Sequence, residues 1–323
     1  MEPKVRCDLV LDGINHVTAA CFHPKKPTIM FGSGDQIIEV DVLSGATLWR
    51  SPAGSPGLGD VRLMSFLETK VDSLSLVTAH QHGDIMLWDS ESLQVRDHIA
   101  PSKKDEGRAA TCWVCVNVGG DPFAFLSRGS TGLERVGLSS RRVSKGLKID
   151  GKWKATSIAY SPRQLVVAGS DSGDLRFFDP KTLSTLHTFS PSGDGKGQTQ
   201  MMSSILRSAV VSLSFCPQQP HMLLSSFQRG GLALWNLNTS SLDAAAATSS
   251  GRLVDAHFHP WMPVILTLSD RGDVSAWHVS TPSAARQAEL QESGLLQPCN
   301  LARLEHAYYT RALPYLPPPA RPA

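Results

Sequence analysis

The stretch that decides the fold reads Thr156-Ser157-Ile158-Ala159-Tyr160-Ser161-Pro162, Gln164-Leu165-Val166-Val167-Ala168-Gly169, Ser170-Asp171-Ser172-Gly173-Asp174, Leu175-Arg176-Phe177-Phe178-Asp179. Its first part alternates and ends in aromatic-x-Pro. Alternation marks a strand with one buried face. Proline ends the ladder because it has no N–H to donate. A second apolar run follows, then a polar turn in which Gly173 suits a tight hairpin. A third strand closes on the bulky Phe178, followed by Asp179.

The same order recurs on both sides. Segments that begin at Val17, Val211 and Val254 end in Phe22-His23-Pro24, Phe215-Cys216-Pro217 and Phe258-His259-Pro260. Second runs follow at 28–32, 222–227 and 264–268, and polar turns follow these at 33–35, 228–231 and 269–273. Two looser copies occupy 61–89 and 112–137. The third strands match at Val40, Trp88, Val136, Phe178, Trp235 and Trp277, with separations of 48, 48, 42, 57 and 42 residues. The longest interval holds a Gly- and Ser-rich insertion at 190–200. A period in the mid-forties is that of a four-stranded propeller blade.

Trp88-Asp89, Phe178-Asp179, Trp235-Asn236, Trp277-His278 and the Gly-Asp turns before them resemble the WD40-repeat family over roughly residues 17–279. The resemblance implies an all-β propeller of six to seven four-stranded blades over residues 1–280. It also implies a non-catalytic protein-interaction scaffold, with other proteins as partners in a multisubunit complex. Trp88, Asp89, Phe178, Asp179, Trp235 and Trp277 are then blade-forming residues. The chain departs from the family at the blade starts, where the Gly-His pair is absent and Asn15-His16 comes nearest. Residues 20–24 and 34–45 also look like the first blade of coat-type trafficking subunits, including the coatomer and the plant TPLATE-containing complex. Vesicle transport is the role this implies, although such subunits usually continue into a helical solenoid that this sequence does not show. A spare alternating strand at 5–11 is expected to complete the last blade, since an unpaired sheet edge invites association.

Composition sets outer limits. The 323 residues carry 31 Lys+Arg against 29 Asp+Glu, a net charge of +2. That balance gives no overall pull toward nucleic acid, which is not an expected partner. With 41% hydrophobic residues the chain has ample core material, which excludes a wholly disordered chain. The N-terminus lacks a signal-like apolar stretch, and no apolar run approaches the roughly 18 residues of a spanning helix. A cytoplasmic protein with six reduced cysteines is expected, with the nucleus or a membrane periphery as alternatives.

Motifs for chemistry are sparse. Cys112-Trp113-Val114-Cys115 sits in a strand with no second pair at zinc spacing, so core thiols are expected. His80/His82 and His257/His259 lack further ligands. Residues 193–197 fail the phosphate-loop pattern because Gly197 follows Lys196. No enzyme activity, cofactor or metal is expected. One basic stretch stands out: Arg141, Arg142, Lys145, Lys148, Lys152 and Lys154, against Asp150, give a local charge of +5. The alternative function is therefore a phosphate binder, with these cations meeting a phosphoinositide-bearing membrane surface or a nucleic-acid backbone. Phe227-Gln228-Arg229-Gly230 is one residue from the Phe-Arg-Arg-Gly signature of phosphoinositide-binding propellers. Residues 281–323 form a separate tail. Helical segments are expected at 284–292 and from Asn300, and a proline-rich end at 313–323 favours polyproline II.

Overall fold

The computed structural model describes residues 16–51, 58–68, 74–103, 105–129, 132–147, 153–190, 200–248, 251–280 and 300–303. Six four-stranded antiparallel sheets form the blades of a β-propeller, each with its strands in chain order. Blade 1 is β1 (Ala19–Phe22), β2 (Thr28–Ser33), β3 (Gln36–Asp41) and β4 (Thr47–Arg50). Blade 2 is β5 (Val61–Glu68), β6 (Leu74–His80), β7 (Ile85–Asp89) and β8 (Val95–Ile99). Blade 3 is β9 (Cys112–Val118), β10 (Asp121–Ser127), β11 (Leu133–Gly137) and β12 (Arg142–Leu147). Blade 4 is β13 (Ala155–Ser161), β14 (Leu165–Ser170), β15 (Leu175–Phe178) and β16 (Thr185–Phe189). Helix α1 (Gln200–Leu206) precedes blade 5, which is β17 (Val210–Phe215), β18 (Met222–Phe227), β19 (Gly231–Asn236) and β20 (Ser241–Ala247). Blade 6 is β21 (Leu253–Phe258), β22 (Val264–Ser269), β23 (Val274–Ser280) and β24 (Asn300–Arg303). Two compact units share these sheets: the first holds blades 1 to 3, the second holds blades 5 and 6, and the strands of blade 4 are divided between them.

In the first unit, Met30 and Ile37 of blade 1 pack on Val61, Met64 and Leu76 of blade 2. Val77, Ala79 and Ile85 pack in turn with Ala124, Leu126 and Val136 of blade 3. Arg128 adds a polar lock between blades 2 and 3. Its Nη1 donates to Gly83 O (3.1 Å) and Arg108 O (2.7 Å), and its Nε donates to Glu134 Oε2 (3.2 Å). Only 2% of the Arg128 side chain is exposed, so removing either partner would strand a buried charge. In the second unit, Leu224, Leu232 and Leu234 pack on Ala256, Phe258, Ile265 and Trp277. Ser212 bridges the first strands of blades 5 and 6: its Oγ accepts from Ala256 N (2.9 Å) and donates to Ala256 O (3.1 Å).

A third-strand tryptophan brings an indole N–H that needs an acceptor when buried. Trp88, Trp235 and Trp277 each donate to a hydroxyl ten residues earlier: Thr78 (3.0 Å), Ser225 (2.8 Å) and Thr267 (3.2 Å). Where blade 3 has Val136 at this position, the residue ten earlier is Leu126; where blade 4 has Phe178, it is Ala168. All four are buried. The hydroxyl thus appears only where a tryptophan demands it.

Two expectations need correction. The segment from Asn300, whose spacing reads as a helix, is strand β24, with Asn300 opposite Ser280 and Arg303 opposite Trp277. The open edge of β23 carries backbone groups that must be paired, and that demand overrides a short local helical pattern. The fourth place in blade 6, expected for residues 5–11, is therefore taken by 300–303; residues 5–11 lie outside the described residues. The insertion ends in helix α1, which the sequence reading omits. The 284–292 helix and the proline-rich 313–323 also lie outside the described residues.

Helix α1 explains one glycine. A Cβ on Gly173, at φ +91°, would stand 2.0 Å from the carbonyl oxygen of Leu206 at the end of α1. The turn glycine of blade 1, Gly34, has φ +62° with open space around it. Gly34→Ala should cost about 1 kcal/mol, the left-handed backbone penalty alone. Gly173→Ala should cost about 3 kcal/mol or more, because backbone must also move. Chemical denaturation checks this, and equal losses at the two sites would contradict the packing of α1.

Candidate functional site

Reversing the chain frees backbone N–H groups, and these need acceptors. The turns between third and fourth strands solve this with one carboxylate. Asp41 Oδ1 accepts from Leu43 N (3.0 Å), Ser44 N (2.7 Å) and Ser44 Oγ (2.8 Å). Asp89 Oδ1 repeats this with Glu91 and Ser92, and Asp179 Oδ1 repeats it with Lys181 and Thr182. In blade 5, Asn236 Oδ1 accepts from Asn238 N (3.0 Å). Hydrogen bonds from the turn amides, those of Ser44, Ser92 and Thr182 foremost, hold these three carboxyls below the usual aspartate range. Four residues after each cap the chain passes through a left-handed conformation, at Gly45, Leu93, Leu183 and Ser240. Asp89 and Asp179 are thus placed in turns, while Phe178, Trp235 and Trp277 are buried in blades. Trp88 is half-buried.

Turns between first and second strands use a histidine twice. His23 Nδ1 accepts from Lys25 N (3.1 Å) and Lys26 N (3.0 Å). His259 Nδ1 accepts from Trp261 N and Met262 N, both at 3.2 Å. Both turns read His-Pro-x-x-Pro, with Pro24 and Pro27 in one and Pro260 and Pro263 in the other. Proline suits the flanks because it brings no N–H to satisfy. This repeat is a signal the sequence held and the reading by strands missed. Of the middle residues, Lys25, Lys26 and Trp261 are exposed and Met262 is half-buried.

These ends carry exposed apolar side chains on pinned backbone. Phe22 is 69% exposed, Leu43 86% and Trp261 73%. In blade 1 the two turns at this end are joined, since Val42 N donates to Pro27 O (2.9 Å). Phe22 and Leu43 therefore sit at the same end of one sheet.

The basic stretch comes together only in part. Arg141 follows the blade 3 turn in a left-handed conformation and pairs with Asp97 of β8 at 2.5 Å. Arg142 and Lys154 are exposed. Lys145 lies in β12 opposite Arg135, while Lys148 and Lys152 fall outside the described residues. Arg229 reaches a carbonyl of α1, Ser204 O, at 3.5 Å. Cys112 and Cys115 are buried thiols, and burial pushes Cys112 up to about 12 and Cys115 higher still. His80 contacts Thr78 Oγ1 and Gly59 O; His257 pairs with Asp255. Among the described residues no group of three or more His, Cys, Asp or Glu is placed to hold a metal ion. No described helix is long and apolar enough to cross a membrane.

No protein-family model and no curated protein matches the chain. Solved structures do. Raptor from Chaetomium thermophilum aligns with a TM-score of 0.63 at 17% identity, covering 81% of this chain and 23% of that one. A chain of the mitotic checkpoint complex aligns at 0.61 and 13%, covering 78% and 71%. The computationally designed Ika8 protein aligns at 0.59 and 16%, covering 81% and 70%. The chain thus spans less than a quarter of the Raptor chain. At these identities the likeness is one of fold.

The histidine cap has a pH signature. To accept two amide hydrogens at Nδ1, His23 must be neutral with its proton on Nε2. Burial first, then Lys26, lowers its pKa below the ordinary 6.5. A lowered value means the cap contributes fully above pH 6.5 and is lost as pH falls through the folded value. Burial lowers His80 likewise. Melting temperature should therefore fall between about pH 7 and pH 5. His23→Asn keeps an acceptor, as Asn236 does, but cannot titrate; it should keep the stability at neutral pH and flatten the slope, leaving the His80 share and the opposing share of His257, which its hydrogen bond with Asp255 raises. An unaltered slope would contradict the cap.

Proposed function

We propose that the protein is a non-catalytic interaction scaffold of the WD40 type, working as one subunit of a multiprotein complex in the cytoplasm. The observation that carries this reading is the end of blade 1. Phe22, at the end of β1, and Leu43, in the turn after β3, present large apolar surfaces to solvent beside turns pinned by His23, Asp41 and the Val42–Pro27 hydrogen bond. Exposed apolar groups grouped on rigid backbone are what a partner protein buries. Membership of a complex is also in keeping with the fold's likeness to a chain of the mitotic checkpoint complex. A vesicle-coat subtype rests on the sequence of residues 20–24 and 34–45 alone. A second reading, contact of the basic stretch with phosphate groups, has the exposure of Arg142 and Lys154 in its favour.

The test is affinity purification of the tagged protein. A stoichiometric protein partner should be recovered, and its recovery should fall more than about tenfold for Phe22→Ser with Leu43→Ser. The melting temperature should stay within about 2 °C of the parent, since both side chains are solvated. A partner retained by the double variant would remove this surface from the account. Binding to anionic vesicles that weakens steeply with salt, and is lost on neutralising Arg142 and Lys154, would favour the second reading.

A further inference from the structure

Trp261 is 73% exposed, with one edge of its ring toward the capping His259 at 5.7 Å between centroids. Its turn is fixed by His259 Nδ1, by His259 N to Val264 O (2.7 Å) and by Val279 N to Pro263 O (2.8 Å). The neighbouring turn of blade 5 adds Gln218 Nε2 to Pro260 O at 2.8 Å. Blade 1 builds the same histidine-capped turn with Lys25 in the place of Trp261. The turn can thus be built without an indole, and most of this one faces solvent. Its Nε1–H makes no hydrogen bond among the described residues, so a donor is available beside the ring.

The surroundings select the chemistry of an occupant. Residues 217–221 read Pro-Gln-Gln-Pro-His and 259–263 read His-Pro-Trp-Met-Pro, without a charge among them. Exposed prolines and an amide flank a flat aromatic ring. Such a surface suits an extended proline-rich segment, whose rings stack on the indole and whose unpaired carbonyls accept from its N–H.

The chain carries such a segment. Residues 313–323 read Leu-Pro-Tyr-Leu-Pro-Pro-Pro-Ala-Arg-Pro-Ala. They lie outside the described residues, but the point of departure is known. Arg303 stands opposite Trp277, which stands opposite Ile265. Two strand spacings of about 4.8 Å and four residues of about 3.3 Å then separate it from Trp261, roughly 16 Å in all. The nine residues 304–312 span up to about 30 Å. We propose that residues 313–323 dock on Trp261 of the same molecule.

Iodide quenching of tryptophan fluorescence tests this, with Trp261→Lys as the reference; lysine is the residue blade 1 tolerates in this turn. Deleting 313–323 should raise the quenchable fraction in the parent but not in Trp261→Lys. A synthetic peptide of residues 313–323 should restore protection saturably in the deleted protein, and should bind Trp261→Lys at least about tenfold more weakly. Equal quenching with and without the segment overturns the proposal. So does peptide binding that Trp261→Lys leaves unchanged. Protection that appears only with a concentration-dependent dimer, read by light scattering, overturns docking within one molecule. A matched melting temperature shows that Trp261→Lys is folded, so its result counts either way.

Discussion

A strand reversal leaves backbone N–H groups that must be satisfied, and in eight of the described turns a single capping side chain does it. The cap is an aspartate or asparagine after the third strand at Asp41, Asp89, Asp179 and Asn236. It is a histidine after the first strand at His23 and His259. It is a serine after the second strand at Ser170 and Ser269, whose Oγ atoms accept from Asp174 N and Asp273 N at 3.0 and 3.1 Å. Because one residue takes the hydrogen bonds, the remaining turn positions are released from folding. Among those released positions Lys25, Lys26, Leu43 and Trp261 are exposed.

Within and between the sheets the same accounting holds for side chains. Within blades the third-strand indoles of Trp88, Trp235 and Trp277 are matched to hydroxyls, and between blades 2 and 3 a buried guanidinium is matched to two carbonyls and a carboxylate. Burial makes these polar groups costly when unpaired, so each partner set ties its residues to one register. Arg128 does this between blades 2 and 3, and Ser212 does it between blades 5 and 6. The blade interiors are thus rigid platforms, and variation is confined to their ends.

Much of this was legible in the sequence. In blades 1, 4, 5 and 6 the first three strands announce themselves through alternation, proline and a Gly-bearing turn, blades 2 and 3 read as looser copies, and the third-strand positions from Val40 to Trp277 follow from this alignment. Fourth strands were not legible, because an outer strand faces water and loses its pattern: β4 and β8 are mostly exposed, and β24 reads as helical. Helix α1 is seven residues long, has no acidic first turn and adjoins an insertion, so nothing marks its start. The caps were half visible. Asp89 and Asp179 read as turn residues, but the hydroxyl ten residues before each tryptophan and the repeated His-Pro-x-x-Pro carried the rest of the signal unread. The basic stretch was visible as charge, yet charge in sequence does not tell that Arg141 is engaged by Asp97 of the neighbouring blade.

The central claim is that capped turns separate what folds the protein from what it displays. Exchanging two displayed residues tests it most directly, with Trp in place of Lys25 and Lys in place of Trp261. The interactions lost are the exposed Lys25–Glu68 pair and the edge-on contact of the Trp261 and His259 rings at 5.7 Å, each worth at most about 1 kcal/mol. The account predicts a cooperative melt within about 3 °C of the parent. A fall of more than about 8 °C, or loss of cooperativity, would show that these residues are part of the fold and would contradict it.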